Sequence, residues 1–153
     1  MSRLQLALNV SNLDEAVAFY SAFFKTAPAK IRPGYANFAI AEPPLKLVLF
    51  ENVESPGTIN HLGVEVFSSD DVVEATSYLS AQGFATEVEM KTSCCHAVQD
   101  KVWVSGPDDA RWEVYTVLAD ADDAQKVMSD DTCGDSASMS KSVSASVPAP
   151  ACC

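Results

Sequence analysis

One strand-and-helix pattern occurs twice in this 153-residue chain, 56 residues apart, and it constrains the fold more than any other feature. In the first copy, LQLALNV, apolar residues alternate with Gln5, Ala7 and Asn9, as in a strand with one buried face. In the second copy, NHLGVEV, His61 and Glu65 take the polar positions. A repeat of this size indicates two supersecondary units that bury their faces together.

Helix signals follow each of these strands. Ser11 or Asn12 can cap the first helix, and acidic residues occupy its first turn. Ser68 or Ser69 can cap the second helix, which Gly83 can end. Each copy therefore begins with a strand and an amphipathic helix.

Three short strand candidates come after each helix. They cover residues 27–31, 35–41 and 45–51 in the first half and 84–90, 97–104 and 111–118 in the second, where GPDD forms a hairpin turn. The pattern predicts an α+β fold in which two βαβββ modules, at about 1–54 and 58–119, form curved mixed sheets around a metal-binding cavity. Chance similarity between two amphipathic βα units is the alternative interpretation.

Composition limits the partners and the compartment. The formal charge of -11 argues against nucleic acid or an anionic membrane surface as a partner. No apolar run is long enough to span a bilayer, and the first ten residues lack the features of a signal peptide, so we expect a cytoplasmic protein. Five cysteines without a disulfide-framework spacing favour free thiols.

The segment from residue 120 to residue 153 differs from the rest of the chain. It is rich in Ser, Ala and Asp and has no aromatic residue, which predicts a mostly disordered tail. Its cysteines, Cys133, Cys152 and Cys153, either capture thiophilic ions or have no role. The sequence leaves this choice open.

Three polar strand residues can converge inside the predicted cavity. Gln5 and His61 occupy equivalent positions of the two copies, and Glu113 shares one face of ARWEVYTVL with Tyr115. An amide oxygen, an imidazole and a carboxylate suit Fe(II), Mn(II), Zn(II) or Ni(II), with positions open for other ligands. The alternative is that each is an ordinary polar residue, and Tyr115 is equally explained by packing.

The sequence resembles a known family. The doubled βαβββ pattern looks like the vicinal-oxygen-chelate superfamily, which includes glyoxalase I, extradiol dioxygenases and antibiotic-resistance proteins. The stretches that resemble the narrower family of organoarsenical carbon–arsenic lyases and cadmium-induced proteins are SRLQLALNV, RPGYANFAIAEPPLKLVLFE, NHLGVEV and TSCCHAVQDKVWVSGPDDARWEVYTVLAD, within residues 1 to about 120.

This resemblance implies a metal site and a substrate site. The iron ligands of the family fall on Gln5, His61 and Glu113, and its substrate-binding vicinal cysteines fall on Cys94 and Cys95. The superfamily often takes a further ligand from the last strand of the first module. PLKLVLF offers only Lys46 at the position matching Glu113, and an ammonium group cannot ligate a metal.

The implied activity is an Fe(II)-dependent dioxygenase reaction with O2 as cosubstrate. A trivalent organoarsenical, methyl or aromatic, would bind through arsenic to Cys94 and Cys95, and cleavage at the iron would release arsenite and an oxidised carbon product. Adjacent strand residues point to opposite faces, so we expect both cysteines on a loop. Lys91, His96 and Lys101 are close in sequence and would favour the thiolate form. His96 is either a proton-transfer group or, as favoured, simply exposed.

Two other functions remain open. A non-catalytic resistance protein would sequester Cd(II), Zn(II) or As(III) through cysteines and would not need the triad. Another enzyme of the superfamily, such as a glyoxalase or a ring-cleaving dioxygenase, would not need the cysteine pair. The sequence does not determine the preferred arsenical, or whether the protein is a monomer or a homodimer.

Overall fold

The fold is built from the two predicted modules. The computed structural model describes residues 2–94 and 96–121. Its elements are β1 (Arg3–Val10), α1 (Leu13–Phe24), β2 (Lys30–Arg32), β3 (Tyr35–Ile40), β4 (Leu45–Glu51), β5 (Ile59–Glu65), α2 (Ser69–Ala81), β6 (Thr86–Cys94), β7 (Ala97–Ser105) and β8 (Arg111–Asp120), with a 3-10 turn at Pro107–Asp109. The predicted α+β class with two βαβββ modules is confirmed. None of the helices in these residues has the length and apolar character needed to cross a membrane.

All eight strands belong to one mixed sheet, in the order β2-β3-β4-β1-β5-β8-β7-β6. β1 and β5 pair antiparallel at the centre, while β1 is parallel to β4 and β5 is parallel to β8. The first strands of the two modules thus join the halves, and the result is one continuous sheet rather than separate sheets.

The sheet curls until its two ends meet. β2 lies at one end, and the β6–β7 connection lies at the other. Across this gap Lys30 Nζ donates to the carbonyl oxygen of His96 at 3.0 Å, and the His96 and Tyr35 rings lie 5.4 Å apart. These contacts enclose the concave face of the sheet.

Side-chain caps define where both helices begin. The Asn12 side chain accepts from the Glu15 backbone N–H at 3.1 Å, and Ser68 does the same for Asp71 at 3.1 Å. Each cap satisfies one of the free N–H groups of a first turn. Gly83 follows the end of α2 with a φ of 85°, in the left-handed region that favours glycine.

Alternation along the central strands separates an apolar face from a polar one. Leu6, Leu8 and Val10 pack with α1 in the main core, where Phe38 and Leu49 are fully buried. Burying each of these last two side chains contributes about 1.5–3 kcal/mol. The concave face instead buries polar residues, among them Gln5, Asn9, His61, Glu65, Gln99, Lys101 and Glu113.

The boundary of the predicted tail needs a correction. Asp120 is the last residue of β8, because it pairs with Ala97 in the ladder and forms an ion pair with Lys30. Ala121 N donates to His96 O at 3.2 Å. Residues 122–153, with the three tail cysteines, lie outside the described residues.

A buried charge cluster supports one end of the concave face. Glu65 accepts from Arg3 Nε and lies 3.1 Å from Lys46 Nζ. Burial alone would raise the pKa of Glu65, but Arg3 and Lys46 outweigh it and lower that pKa. Burial lowers the pKa of Lys46, an effect that Glu65 partly offsets.

We expect this cluster to make stability depend on pH. A carboxyl whose pKa is lowered by folding adds stability above its unfolded pKa, and that stability is lost as pH falls through the folded value. Glu65→Gln should therefore lower the free energy of unfolding by about 1.5–3 kcal/mol at pH 7, and by progressively less below about pH 4. Urea unfolding at pH 7 and at a pH below about 4 measures this difference. The control is Glu87→Gln, because Glu87 is exposed and lies 3.8 Å from Arg111. An equal loss at both pH values would contradict the prediction.

Candidate active site

Three predicted ligands meet at the centre of the concave face. Gln5 Nε2 lies 3.0 Å from His61 Nε2 and 2.7 Å from Glu113 Oε1, and His61 Nε2 lies 3.3 Å from Glu113 Oε1. All three side chains are at most 6% exposed. They come from β1, β5 and β8, which are neighbours in the sheet.

Gly63 makes this convergence sterically possible. It pairs with Gln5 on one side and with Glu113 on the other. A Cβ atom at Gly63 would lie 3.1 Å from Glu113 Cγ and 3.4 Å from Gln5 Cβ. A glycine inside a strand is the signal that could have predicted this close approach.

The spacing of these three side chains fits a divalent metal ion, once Gln5 presents its amide oxygen in place of its nitrogen. Adjacent ligands of an octahedral ion held at about 2.1 Å are about 3 Å apart, close to the separations found here. The cavity that they line has a volume of about 20 Å³, enough for one ion or water. Residues 2–94 and 96–121 contain no group of three or more His, Cys, Asp and Glu that could hold a metal, so a three-ligand site here requires the amide of Gln5.

Tyr115 controls the orientation of that amide. Its hydroxyl donates to Gln5 Oε1 at 2.5 Å, so Nε2 faces His61 and Glu113. An amide ligates a cation through oxygen, and a half-turn of the amide would direct Oε1 into the cavity. The Tyr115 hydroxyl can then accept from Nε2. Burial raises the pKa of Tyr115, which keeps this hydroxyl protonated.

A chain of hydrogen bonds fixes the tautomer of His61. Thr58 Oγ1 donates to Ser55 O at 2.7 Å, Asn9 Nδ2 donates to Thr58 Oγ1 at 2.9 Å, and Asn60 Nδ2 donates to Asn9 Oδ1 at 3.0 Å. Asn60 Oδ1, 2.8 Å from His61 Nδ1, is therefore an acceptor. It places the proton on Nδ1 and leaves the Nε2 lone pair facing the cavity.

Lys101 supports the carboxylate of Glu113. Its ammonium lies 3.1 Å from Glu113 Oε2, at ion-pair distance but without hydrogen-bond geometry. Burial would raise the pKa of Glu113, whereas its two neighbours, the His61 ring and the Lys101 ammonium, lower it overall. Lys101 was expected to act on the cysteines, but its charge is paired with this predicted ligand.

The register corrects the position that matches Glu113. Gly63 lies 56 residues after Ala7, so the two are equivalent positions of the repeat. Gly63 pairs with Glu113, and Ala7 pairs with Val48. Val48, not Lys46, is therefore the equivalent of Glu113 in the first module. An isopropyl group cannot ligate a metal, so this module supplies no carboxylate at that position.

The first cysteine of the vicinal pair lies at the end of a strand. Cys94 is the last residue of β6, is 5% exposed and pairs with Ala97. It was expected on a loop with Cys95, which lies outside the described residues. Cys94 is disulfide-bonded, and every other cysteine lies outside the described residues. The expectation of free thiols is therefore wrong for Cys94, since spacing alone does not reveal which cysteines the fold brings together.

His96 connects this strand end to the cavity lined by the three predicted ligands. It is half-buried, with a φ of 64°, and its ring contacts Tyr35 rather than being simply exposed. The ring centres of Tyr35 and Phe50 lie 5.5 Å apart, and those of Phe50 and His61 lie 6.2 Å apart. Tyr35, Phe50 and His61 all line the cavity. The cysteine-bearing hairpin thus packs against the cavity wall.

Comparison with known proteins gives close relatives. A family model described as the Glyoxalase/Bleomycin resistance protein/Dioxygenase superfamily matches residues 3–114. The cadmium-induced protein CadI of Mycobacterium tuberculosis is 62% identical over 122 residues, 80% of each chain. The trivalent organoarsenical cleaving enzyme of Thermomonospora curvata is 58% identical over 127 residues, 82% of this chain and 84% of that one.

Solved structures share the fold. A homoprotocatechuate 2,3-dioxygenase from Brevibacterium fuscum matches 76% of this chain and 32% of its own, with a TM-score of 0.58 and 18% identity. An Mn(II)-bound glyoxalase from Novosphingobium aromaticivorans matches 78% and 41%, with a TM-score of 0.56 and 19% identity. At these identities the likeness extends to the fold alone.

Removing the support of His61 should weaken metal binding. Asn60→Leu removes the acceptor for Nδ1–H, and losses of this kind typically reduce metal affinity about 10–100-fold. An anaerobic competition titration of Fe(II) against a chromophoric chelator measures the affinity, and ¹⁵N chemical shifts of His61 report its tautomer. Asn52→Leu, away from the cavity, is the matched control. Unchanged affinity and an unchanged tautomer in Asn60→Leu would rule out this role.

A methyl group at Gly63 should disturb the same site directly. Gly63→Ala brings a Cβ to 3.1 Å from Glu113 Cγ, so this side chain must shift. We expect at least about tenfold weaker Fe(II) binding, since loss of ligand positioning has that effect. Gly106→Ala is the control, because the nearest atom to a Cβ there would be the carbonyl oxygen of Ala110, at 3.4 Å. Equal affinities in both variants would show that Gly63 does not set the ligand spacing.

Proposed function

We propose, because the chain belongs to the Glyoxalase/Bleomycin resistance protein/Dioxygenase superfamily, that it cleaves the carbon–arsenic bond of trivalent organoarsenicals with Fe(II) and O2. The observation that carries the proposal is the buried convergence of Gln5, His61 and Glu113 beside the hairpin that bears Cys94. The name of the 58% identical relative supports the substrate class. Release of arsenite would detoxify the organoarsenical.

Gln5, His61 and Glu113 would hold the iron. When bound, Fe(II) supplies the activation of O2, which reacts slowly with closed-shell molecules on its own. Asn60 orients His61, and Lys101 keeps Glu113 ionised, so these two ligands are preorganised. The amide of Gln5 would turn by half a turn to present its oxygen, and the Tyr115 hydroxyl would then accept from its nitrogen.

Cys94 and Cys95 would hold the arsenic atom. Trivalent arsenic prefers thiolates, so the disulfide at Cys94 has to be reduced before substrate binds. The contact between His96 and Tyr35 keeps this hairpin against the cavity wall. The apolar side chains of Val48, Phe50 and Trp103 line the cavity and limit its water content.

The overall reaction of a methyl substrate balances without a further reductant. Methylarsonous acid and one O2 contain the atoms of formaldehyde and arsenous acid. One oxygen atom ends on carbon and the other on arsenic, the carbon–arsenic bond breaks, and the carbon is oxidised while O2 is reduced. The chain has to hold arsenic and carbon near the metal and exclude bulk water.

A second function is favoured by one observation. The 62% identical relative carries the name cadmium-induced protein, which suits a binder that sequesters thiophilic ions. Such a protein would use its cysteines without Gln5, His61 or Glu113. Binding of an arsenical without its cleavage would support this function.

The test is cleavage of a methylarsenical by the reduced full-length chain. Protein loaded anaerobically with Fe(II) receives trivalent methylarsenical and then O2, and chromatography separates the arsenic species. We expect arsenite release that requires both Fe(II) and O2. Glu113→Ala and Cys95→Ser should each lower release at least about 100-fold, the first through loss of metal binding and the second with iron retained.

Matched variants control for general damage. Glu87→Ala removes an exposed carboxylate, and Cys133→Ser removes a cysteine outside the vicinal pair. Both should release arsenite at the wild-type rate. Tight arsenical binding without any cleavage would overturn the proposed function in favour of sequestration.

A further inference from the structure

A second cavity lies beside the metal cavity and much exceeds it in size. Its volume is about 210 Å³, whereas the metal cavity has about 20 Å³. Tyr35, Lys46 and Gln99 line both cavities. Ala97, the ladder partner of Cys94, lines the second one. The second cavity therefore adjoins both the predicted ligands and the cysteine strand.

Gln99, which lines both cavities, carries a buried amide oxygen without a partner. The residue is 7% exposed, and its Oε1 atom is buried without a hydrogen bond in the described part of the chain. Buried polar atoms normally have a partner, so an unpaired acceptor calls for a donor from a bound molecule. A hydroxyl group meets this need.

Cationic groups surround the same cavity, although the protein as a whole is acidic. Lys30 and Lys46 line it, but Lys30 contacts His96 O and Asp120, and Lys46 is paired with Glu65. Arg3 uses only Nε, toward Glu65, and its two terminal nitrogens make no hydrogen bond within residues 2–94 and 96–121. Arg3 can therefore donate to an oxygen atom of a ligand.

We propose that the second cavity receives the organic group of an arylarsenical, and that Arg3 and Gln99 recognise a hydroxyl group on its ring. The hydroxyl accepts from Arg3 and donates to Gln99 Oε1, so both unpaired groups gain a partner. This inference rests on the proposed carbon–arsenic cleavage and identifies the substrate that suits the cavity.

The chemistry of the ring gives an independent reason for the hydroxyl. A hydroxyphenylarsenical with the hydroxyl ortho or para to arsenic balances with one O2 to give a quinone and arsenous acid. One oxygen atom of O2 forms the second ring carbonyl as the carbon–arsenic bond breaks. The other oxygen atom binds arsenic, takes the proton of the phenol and becomes the third hydroxyl of arsenous acid. An unsubstituted phenylarsenical would need two electrons and two protons from a reductant to give phenol and arsenous acid.

The test measures binding and cleavage separately on the reduced, Fe(II)-loaded full-length chain. Anaerobic calorimetry gives the affinities for trivalent methyl-, phenyl- and 4-hydroxyphenylarsenicals, and O2 is then admitted to follow arsenite release. The variants are Arg3→Met, Gln99→Leu and Ala39→Phe. Ala39 is an exposed residue of the cavity lining, so phenylalanine there narrows the cavity without entering the core. The matched control is Ala81→Phe at the exposed end of α2.

We expect the wild type to bind the hydroxyphenylarsenical about tenfold or more tightly than the phenylarsenical, as one charge-assisted hydrogen bond implies. Arg3→Met and Gln99→Leu should each reduce this preference to about threefold or less. Ala39→Phe should weaken binding of both aryl compounds at least about tenfold and change binding of the methyl compound less than twofold.

Two results would overturn the inference. One is equal affinity of the wild type for the two aryl compounds. The other is that Arg3→Met and Gln99→Leu keep the wild-type preference for the hydroxyphenylarsenical while Ala39→Phe binds both aryl compounds as tightly as the wild type. Failure of the proposed function is distinct from both, because no arsenical would then be cleaved after O2 is admitted, whatever the affinities. If the methyl compound is cleaved but the two aryl compounds bind with equal affinity, only the role of the second cavity is rejected.

Discussion

The antiparallel pairing of β1 with β5 is the constraint on which the rest of the structure depends. Its register places Gln5 opposite Gly63 and Ala7 opposite His61, so both predicted ligands face the concave side. β8 then continues the row, with Glu113 beside Gly63. A slip of one residue would turn these side chains to the helix face and the leucines to the cavity. The hydrophobic alternation that stabilises the core therefore also fixes the site.

Burying carboxylates on the concave face requires buried cations. An unpaired buried ion costs several kcal/mol, and each carboxylate here has a basic partner. Lys101 accompanies Glu113, while Arg3 and Lys46 accompany Glu65. In a chain with a net charge of -11, this places positive charge at the interior face and leaves the surface acidic. The buried charges are thus paired, although two buried oxygens among the described residues, Gln99 Oε1 and Glu113 Oε2, accept no hydrogen bond.

Local patterns were sufficient to predict the modules and the faces of their strands. Alternation in LQLALNV and NHLGVEV decided which side chains point away from the helices, and the structure agrees at Gln5, His61 and Glu113. The side-chain caps were predicted to within one residue, because capping chemistry is local. The roles of these three residues as metal ligands stay a prediction.

Features that depend on pairing between distant strands could not be predicted. The sequence placed Lys46 at the position of Val48, because register between parallel strands leaves no local signal. β6 extends to Cys94 beyond its predicted end, through a bulge at Lys91, whose φ is 52° and whose N–H is bound by Asp100 at 2.6 Å. Lys101 was assigned to the cysteines by proximity in sequence, whereas the fold pairs it with Glu113.

The asymmetry between the modules gives the candidate site its direction. The first module supplies only Gln5, and the second supplies His61 and Glu113, so a metal ion would keep its free positions on the side of Val48. Val48 packs with Ala7 and Tyr35 in a small apolar cluster, and Tyr35 contacts the hairpin that follows Cys94. A fourth ligand at this position, such as a carboxylate, would close the candidate metal site. Val48 instead leaves it open toward the segment that carries the vicinal cysteines, which is the side from which a carbon–arsenic bond would have to approach.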